Sequence, residues 1–480
     1  MASLVSQTLI VLQALLLGAV ILGAEWRRPI PRRAVDFFRV TSVVYFICFV
    51  VLPLYLQIDD QSDVRGTAWG WLLKQPFDGT GFAYAGTLSL IGYGAVLLGF
   101  HLAGGDGPGQ LRLVPVGPVE PLRGRDTASL LAVSMALGVT GLACLTVYTA
   151  SIGGVGVLVL QAAAFRLSEP PVITPFAFLK TLSPMVMAGM FLLHGLRSRE
   201  HLAGRPRRWT IAYVTFLVGS LLILIHQAGR FPLAMFLLTF PLATVIRSGR
   251  IRMRAVLAGT ALVFLFLLFG KQLFESTLMG TNLTDRIASV GQDLRSSVTM
   301  VLREFAFPSV TAANATLEVP GEIDFRWFYD FPLALQYLLP QRLLGVAHPL
   351  TVSMVNTTRF PAFGTIPVDL VSLGYFSAGV PGVALLLTMF GALIAWCERL
   401  LPATTDPVDC VLRSAWILFI SVRVMYGDPQ LIWPGGLHLI ILSILCAAVL
   451  PSLRDMQVAL PQGGFFENWT KFTGIVLALS

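Results

Sequence analysis

Residues 211–246 read IAYVTFLVGSLLILIHQAGRFPLAMFLLTFPLATVI. Two apolar runs flank the short stretch HQAGRFPL at 226–233. A helix needs about 20 mostly apolar residues to cross a hydrocarbon core, and each run comes close to that length. Read as spans, the two runs form a membrane hairpin whose hinge carries His226 and Arg230. A cationic hinge is either a solvated loop or part of a site, and the rest of the chain decides which reading is stronger.

The pattern recurs along nearly the whole chain. Of 480 residues, 55% are hydrophobic and 12% charged, and the mean hydropathy is +0.75. A soluble domain carries about 25% charged residues. The composition therefore predicts an all-α polytopic membrane protein and excludes a soluble enzyme on a single anchor. Apolar runs lie near 4–23, 37–58, 80–103, 127–150, 172–196, 209–226, 231–246, 255–270, 368–397, 412–426 and 434–451. They predict about eleven helices. The first run has its positive residues after it, in EWRRPIPRR, which is the reverse of a secretory signal, so it is read as a retained helix.

The loops set an orientation. EWRRPIPRR at 25–33, GQLRLVPVGPVEPLRGRD at 109–126, RSREHLAGRPRR at 197–208 and RSGRIRMR at 247–254 are rich in arginine and alternate in the chain. The intervening QIDDQSD at 57–63 is acidic, and GDPQLIW at 427–433 holds no Lys or Arg. The positive-inside bias then predicts an N-terminus outside and a C-terminus in the cytoplasm. It also places HQAGRFPL outside, so Arg230 runs against the bias. The expected organisation is an N-terminal bundle of about eight helices over 1–270, a large outer loop over 271–366, about three C-terminal spans over 367–451, and a cytoplasmic tail over 452–480. The large loop mixes charge with aromatics, and apolar residues at 287, 290, 294, 298, 301 and 305 predict a helix. Loops of this length are usually functional, and short helices packed over the membrane bundle are expected.

The net charge of +8 sits in short cytoplasmic loops, with no soluble domain to present a basic face to nucleic acid. Cys48, Cys144, Cys397, Cys410 and Cys446 show neither a disulfide framework nor metal-ligand spacing and read as small packing residues. No Walker A, GxSxG, HExxH or CxxC motif occurs.

The informative residues are arginines toward the outer face. Arg230 lies in the hinge. Arg423 lies in the apolar run AWILFISVRVMYGD at 415–428, and Arg342 and Arg359 lie in the large loop. A charge at a span's centre costs on the order of 2.5–3.5 kcal/mol, so it is paired, snorkelling or functional. Pairing with Asp428, or snorkelling, is the plain reading of Arg423. Guanidinium groups bind phosphate bidentately and stay charged. Several at an outer membrane face would suit a lipid diphosphate and stabilise it as a leaving group. A transferase also needs a group to take a hydroxyl proton. Candidates are Asp369, His226, His348, Glu304, Glu322, Asp324 and Asp330. The plain reading of Asp369 is a helix cap, and that of His226 a hydrogen-bonding hinge residue.

FYDFPLALQYLLPQRLLGVAHPL at 328–350 and FGTIPVDLVSLGYFSAGVPGVALLLTMFGAL at 363–393 resemble the bacterial oligosaccharide repeat-unit polymerases, the O-antigen (Wzy-type) polymerases. AGRFPLAMFLLTF at 228–240, followed by RSGRIRMR, looks like that family's hinge arginine, span and basic cytoplasmic loop. The Pro-Arg element here reads Pro340-Gln341-Arg342, and His348-Pro349 stands where a Lys-Pro is common. The resemblance covers residues 150–400 in pattern. It implies a type-C glycosyltransferase-like fold in the bacterial inner membrane. The implied reaction transfers a glycan from undecaprenyl diphosphate to a hydroxyl of a lipid-linked repeat unit, for O-antigen, capsule or exopolysaccharide. It implies no cofactor and no metal. Arg230, Asp369 and His226 would be catalytic, and Arg230, Arg342, Arg359 and Arg423 would hold the diphosphate. Implied partners are undecaprenyl-diphosphate-linked oligosaccharides, the bilayer, and a chain-length regulator and flippase of the same pathway. Beside this reading stand a structural assembly factor of an envelope complex, which would not need arginines converging on one face, and two closer rivals. One is an O-antigen ligase-like transferase, which shares the architecture. The other is a lipid-linked oligosaccharide flippase, which should show inverted repeats and mid-membrane charges. No repeat is visible.

Overall fold

The computed structural model describes residues 2–28, 35–58, 80–104, 124–164, 174–199, 207–227, 230–249, 259, 261, 298–299, 301–302, 305–339, 349–358, 366–401 and 406–449. Among these residues there are helices and no strands. Fourteen helices matter here. They are α1 (Ala2–Arg27), α2 (Phe37–Phe46, continuing through the π turn Ile47–Val51 into Leu52–Ile58), α3 (Thr80–Leu102), α4 (Gly124–Ser151), α5 (Val155–Ala164), α6 (Met185–Arg197) and α7 (Arg207–His226). Then come α8 (Arg230–Ser248), α9 (Phe307–Glu318), α10 (Asp330–Gln336), α11 (Val352–Thr358), α12 (Leu370–Leu400), α13 (Pro407–Ser421) and α14 (Pro429–Val449).

Among the described residues, nine helices are long and apolar enough to cross a membrane. The chain is an all-helical, multi-pass membrane protein. Of the eleven spans expected, 255–270 lies outside the described residues except for 259 and 261. The run at 412–426 belongs to α13, which is 15 residues long, followed by a single 3-10 turn, Val422–Val424. The expected helix around 287–305 also lies mostly outside the described residues.

Backbone chemistry explains the breaks in the long helices. Pro53 has no N–H, and the amide of Leu52 reaches back to the Ile47 carbonyl, closing a π turn. The Cys48 carbonyl loses its helical donor, and Ser309 Oγ of α9 donates to it at 3.1 Å. α12 breaks at Ala378 and at Gly379, whose φ of 64° and ψ of −146° suit glycine alone. Pro381 follows and leaves the Ser377 carbonyl without its helical donor. The Trp327 amide donates to Ser377 O at 2.9 Å, and the Arg326 amide donates to Phe376 O at 2.9 Å. The kink thus anchors the segment before α10.

α3 and α12 pack at glycine contacts. A Cβ on Gly99 would lie 1.8 Å from the Thr388 carbonyl oxygen, and one on Gly391 2.1 Å from that of Val96. Without a hydrophobic drive between helices in lipid, such close backbone approach supplies the packing. α9 is buried along most of its length against this pair. All five cysteines are free and buried.

One end of the bundle is stitched by its arginines. Arg28 pairs with Asp36 at 3.0 Å, and Asp36 caps α2. Arg413, at 2% exposure, pairs with Glu398 at 2.5 Å. Arg199 pairs with Asp406 at 2.9 Å and donates to Thr127 at 3.1 Å. Arg247 donates to Ser198 O at 3.3 Å. The ends of α1, α6, α8 and α12 and the starts of α2, α4 and α13 therefore share this basic end. The start of α8, the described residues of 305–358, the entry to α12 and the turn after α13 meet at the opposite end.

Candidate functional site

At that opposite end α13 stops in the sequence Ser421-Val-Arg-Val-Met-Tyr-Gly-Asp428. Arg423 is half-buried there. Its Nε donates to the Phe419 carbonyl at 3.1 Å, and its guanidinium lies over the Phe419 ring, 4.5 Å from the centroid. α14 packs closely on the Phe419 ring, because Gly436 lacks the Cβ that would sit 2.6 Å from it. A buried Nη1 of Arg423 has no hydrogen-bond partner. Leaving such a donor unsatisfied costs about 1–3 kcal/mol, more for a charged group. The plain reading of Arg423 as the ion-pair partner of Asp428 is not what the geometry shows. Asp428 Oδ1 accepts from the Gln430 amide at 2.9 Å, and Oδ2 from the Ser353 amide at 3.4 Å. Burial raises the Asp428 carboxyl above its ordinary range, against the hydrogen bonds from Ser353 and Gln430.

Three expected site elements converge on this turn. The Tyr426 ring packs 5.2 Å from Phe231, so the start of α8, at Arg230, stands beside the end of α13. Phe307, at the start of α9, packs on Tyr426 at 5.4 Å. The Gly427 amide donates to Val368 O at 2.8 Å. A Cβ on Gly427 would sit 2.7 Å from the backbone of Leu370, so the turn lies directly on Asp369.

Asp369 is fully buried and caps α12, accepting from the amides of Val371 at 2.9 Å and Ser372 at 3.0 Å. Its second oxygen accepts from the Ser372 hydroxyl. With both oxygens engaged, the carboxylate is a helix cap first. Full burial beneath the Gly427 turn, rather than these bonds, separates it from a substrate hydroxyl. His226 belongs to another group. Its Nδ1 faces Leu158 O at 3.1 Å, so that nitrogen carries the proton, and Nε2 faces the Tyr148 hydroxyl at 3.3 Å. It is 4% exposed and ties α7 to α4 and α5. Both ring nitrogens are occupied, which fits a hinge anchor better than a base.

Asp330 is 2% exposed and accepts from Arg326 at 2.6 and 2.8 Å and from the Val352 amide at 2.8 Å. Glu322 and Asp324 are exposed. The Arg230 side chain, Arg342, Arg359, His348 and Glu304 lie outside the described residues.

Sequence reasoning found Arg423 from its charge but missed the stack that holds it. An aromatic residue four positions earlier, on the same helix face, was the available signal. The Phe231–Tyr426–Phe307 cluster joins distant parts of the chain and leaves no local trace. No protein-family model, no curated protein and no solved structure matches the chain.

Proposed function

We propose that the protein is a glycosyltransferase of the membrane surface that extends a glycan carried on a polyprenyl diphosphate, at the face opposite its basic end. The supporting observation is the Arg423 turn. The Arg423 guanidinium lies over the Phe419 ring, 4.5 Å from its centroid, with a buried Nη1 that has no hydrogen-bond partner, and the start of α8 packs through Phe231 on Tyr426, three residues further on. A planar fork with one donor left unsatisfied suits a phosphate better than a loop charge does.

In this reading the arginines hold the diphosphate and offset the negative charge that develops as it leaves. The acceptor hydroxyl attacks the anomeric carbon, the C–O bond to the diphosphate breaks, and the hydroxyl proton passes to solvent or to the departing phosphate. Asp369 acts by fixing the start of α12 under the Gly427 turn. The resemblance to the repeat-unit polymerases makes the acceptor a lipid-linked repeat unit, the carrier undecaprenyl diphosphate, and the membrane the bacterial inner membrane. The N-terminus then lies in the periplasm and the C-terminus in the cytoplasm.

The test replaces the chromosomal copy with Arg230→Ala, Arg230→Lys or Arg423→Ala and reads glycan length on gels. The expected result is a single repeat unit in place of a ladder, with membrane levels of protein unchanged. A normal ladder from either alanine variant contradicts the diphosphate site. A single unit missing from its final acceptor, with extension intact, identifies a ligase instead.

A further inference from the structure

The segment 322–329 uses its residues in an unusual way. Trp327 and Phe328 are the described non-glycine residues with positive φ, at 48° and 61°. Aromatic residues pay a steric penalty there and persist only when the surroundings hold them. The hold is visible. The amides of Arg326 and Trp327 bond to the carbonyls freed by the α12 kink, and the Arg326 side chain is locked to Asp330 and to the Leu350 carbonyl at 2.8 Å. The result is two large rings turned outward, with Trp327 72% and Tyr329 47% exposed. Phe325 braces Trp327 with ring centroids 5.8 Å apart. Beside them opens a recess of about 420 Å³ lined by Ile323, Asp324, Phe325, Arg326, Tyr329 and Val355. That volume lies within the range of small-molecule sites, about 300–1,000 Å³.

The combination is specific in its chemistry. Flat, rigid ring faces suit the C–H faces of a pyranose. An exposed carboxylate at Asp324 and the edge of a guanidinium suit its hydroxyls. Plain apolar contact would not need the carboxylate, and a phosphate would be repelled by it. The platform is also tied to the Arg423 turn, since Asp330 holds the Val352 amide and the next residue, Ser353, donates to Asp428.

We propose that Trp327 and Tyr329 form a carbohydrate-binding platform that stacks a sugar ring of the glycan substrate, with Asp324 accepting its hydroxyl hydrogens. The identity of that glycan as substrate rests on the transferase reading, but the binding of sugar does not.

The test uses the full chain in lipid nanodiscs and two probes. One is the free glycan released by mild acid from the polyprenyl-linked pool of the producing cells. The other is undecaprenyl diphosphate. Trp327→Gly removes the ring and relieves the positive φ. It is expected to keep or raise the thermal midpoint while weakening glycan binding by about tenfold or more, with Trp327→Phe weakened less. Tyr329→Ala is expected to weaken it several-fold, and none of these changes should alter undecaprenyl diphosphate binding. Equal glycan affinity in Trp327→Gly and the unaltered protein overturns the platform and leaves the rings as bilayer-interface anchors. Undetectable glycan binding to the unaltered protein also overturns it. Glycan binding without carrier binding supports the platform and removes the transferase reading, so the two ideas fail separately.

Discussion

Arg423 shows what a single residue reveals and hides. Its charge inside an apolar run marked it as exceptional. The identity of its support, the Phe419 ring, comes from packing against Gly436 on a different helix. A lysine keeps the charge but cannot stack a plane or offer a fork. Arg423→Lys should therefore lower glycan extension at least about tenfold, equivalent to about 1.4 kcal/mol, with no loss of folded protein by size-exclusion chromatography. Asp369 separates capping from proton transfer. Asn caps a helix nearly as well as Asp, whereas Ala costs about 0.5–2 kcal/mol. Asp369→Asn should keep extension within a few-fold, and Asp369→Ala should lower the thermal midpoint. A dead but fully stable Asp369→Asn would restore the carboxylate as the base. The tension between cap and base could not be resolved from sequence, because the Ser372 hydroxyl bond is a matter of rotamer.

At the scale of elements, most helices could be read from hydropathy, while their ends and breaks needed other signals. α13 begins at Pro407 with Asp406 as its cap, earlier than the apolar run at 412–426 suggests. The Asp-Pro pair was the legible sign, but Asp409 and Arg413 masked it from a hydropathy window. Arg413 is tolerated because Glu398 pairs with it and the Phe37 ring lies 5.7 Å away. The α12 kink likewise had its sign in Gly379 and Pro381. What could not be read was the use made of it, since the carbonyls it frees hold residues some fifty positions earlier in the chain. Gly379→Ala places a Cβ in a region open only to glycine and should cost about 1–3 kcal/mol, read as a fall in thermal midpoint. A wild-type midpoint would mean the kink is not held in the folded protein. Gly99→Leu should be more damaging. Its side chain has no room against Thr388, and a mixture of aggregated and degraded protein is the expected outcome.

At the scale of the whole molecule, alternating arginine-rich loops predicted two chemically distinct ends, and long-range contacts place Arg28, Arg199, Arg247 and Arg413 together at one of them. The multi-pass class was legible because bilayer physics acts on composition. The site was legible only in part, because it is assembled from the start of α8, the end of α13 and the entry to α12. In a variant lacking its five cysteines, single cysteines at 61 and 201 should label from opposite sides of the membrane, with 61 reactive from outside. Labelling of both from one side would refute the topology. The most direct test of the central claim is reconstitution of the purified chain in proteoliposomes with one lipid-linked repeat unit, read by mass spectrometry. The account requires a ladder of lipid-linked products with release of undecaprenyl diphosphate, absent in Arg423→Ala. A folded wild-type protein that leaves the repeat unit unchanged, or a ladder that persists in Arg423→Ala, would contradict it.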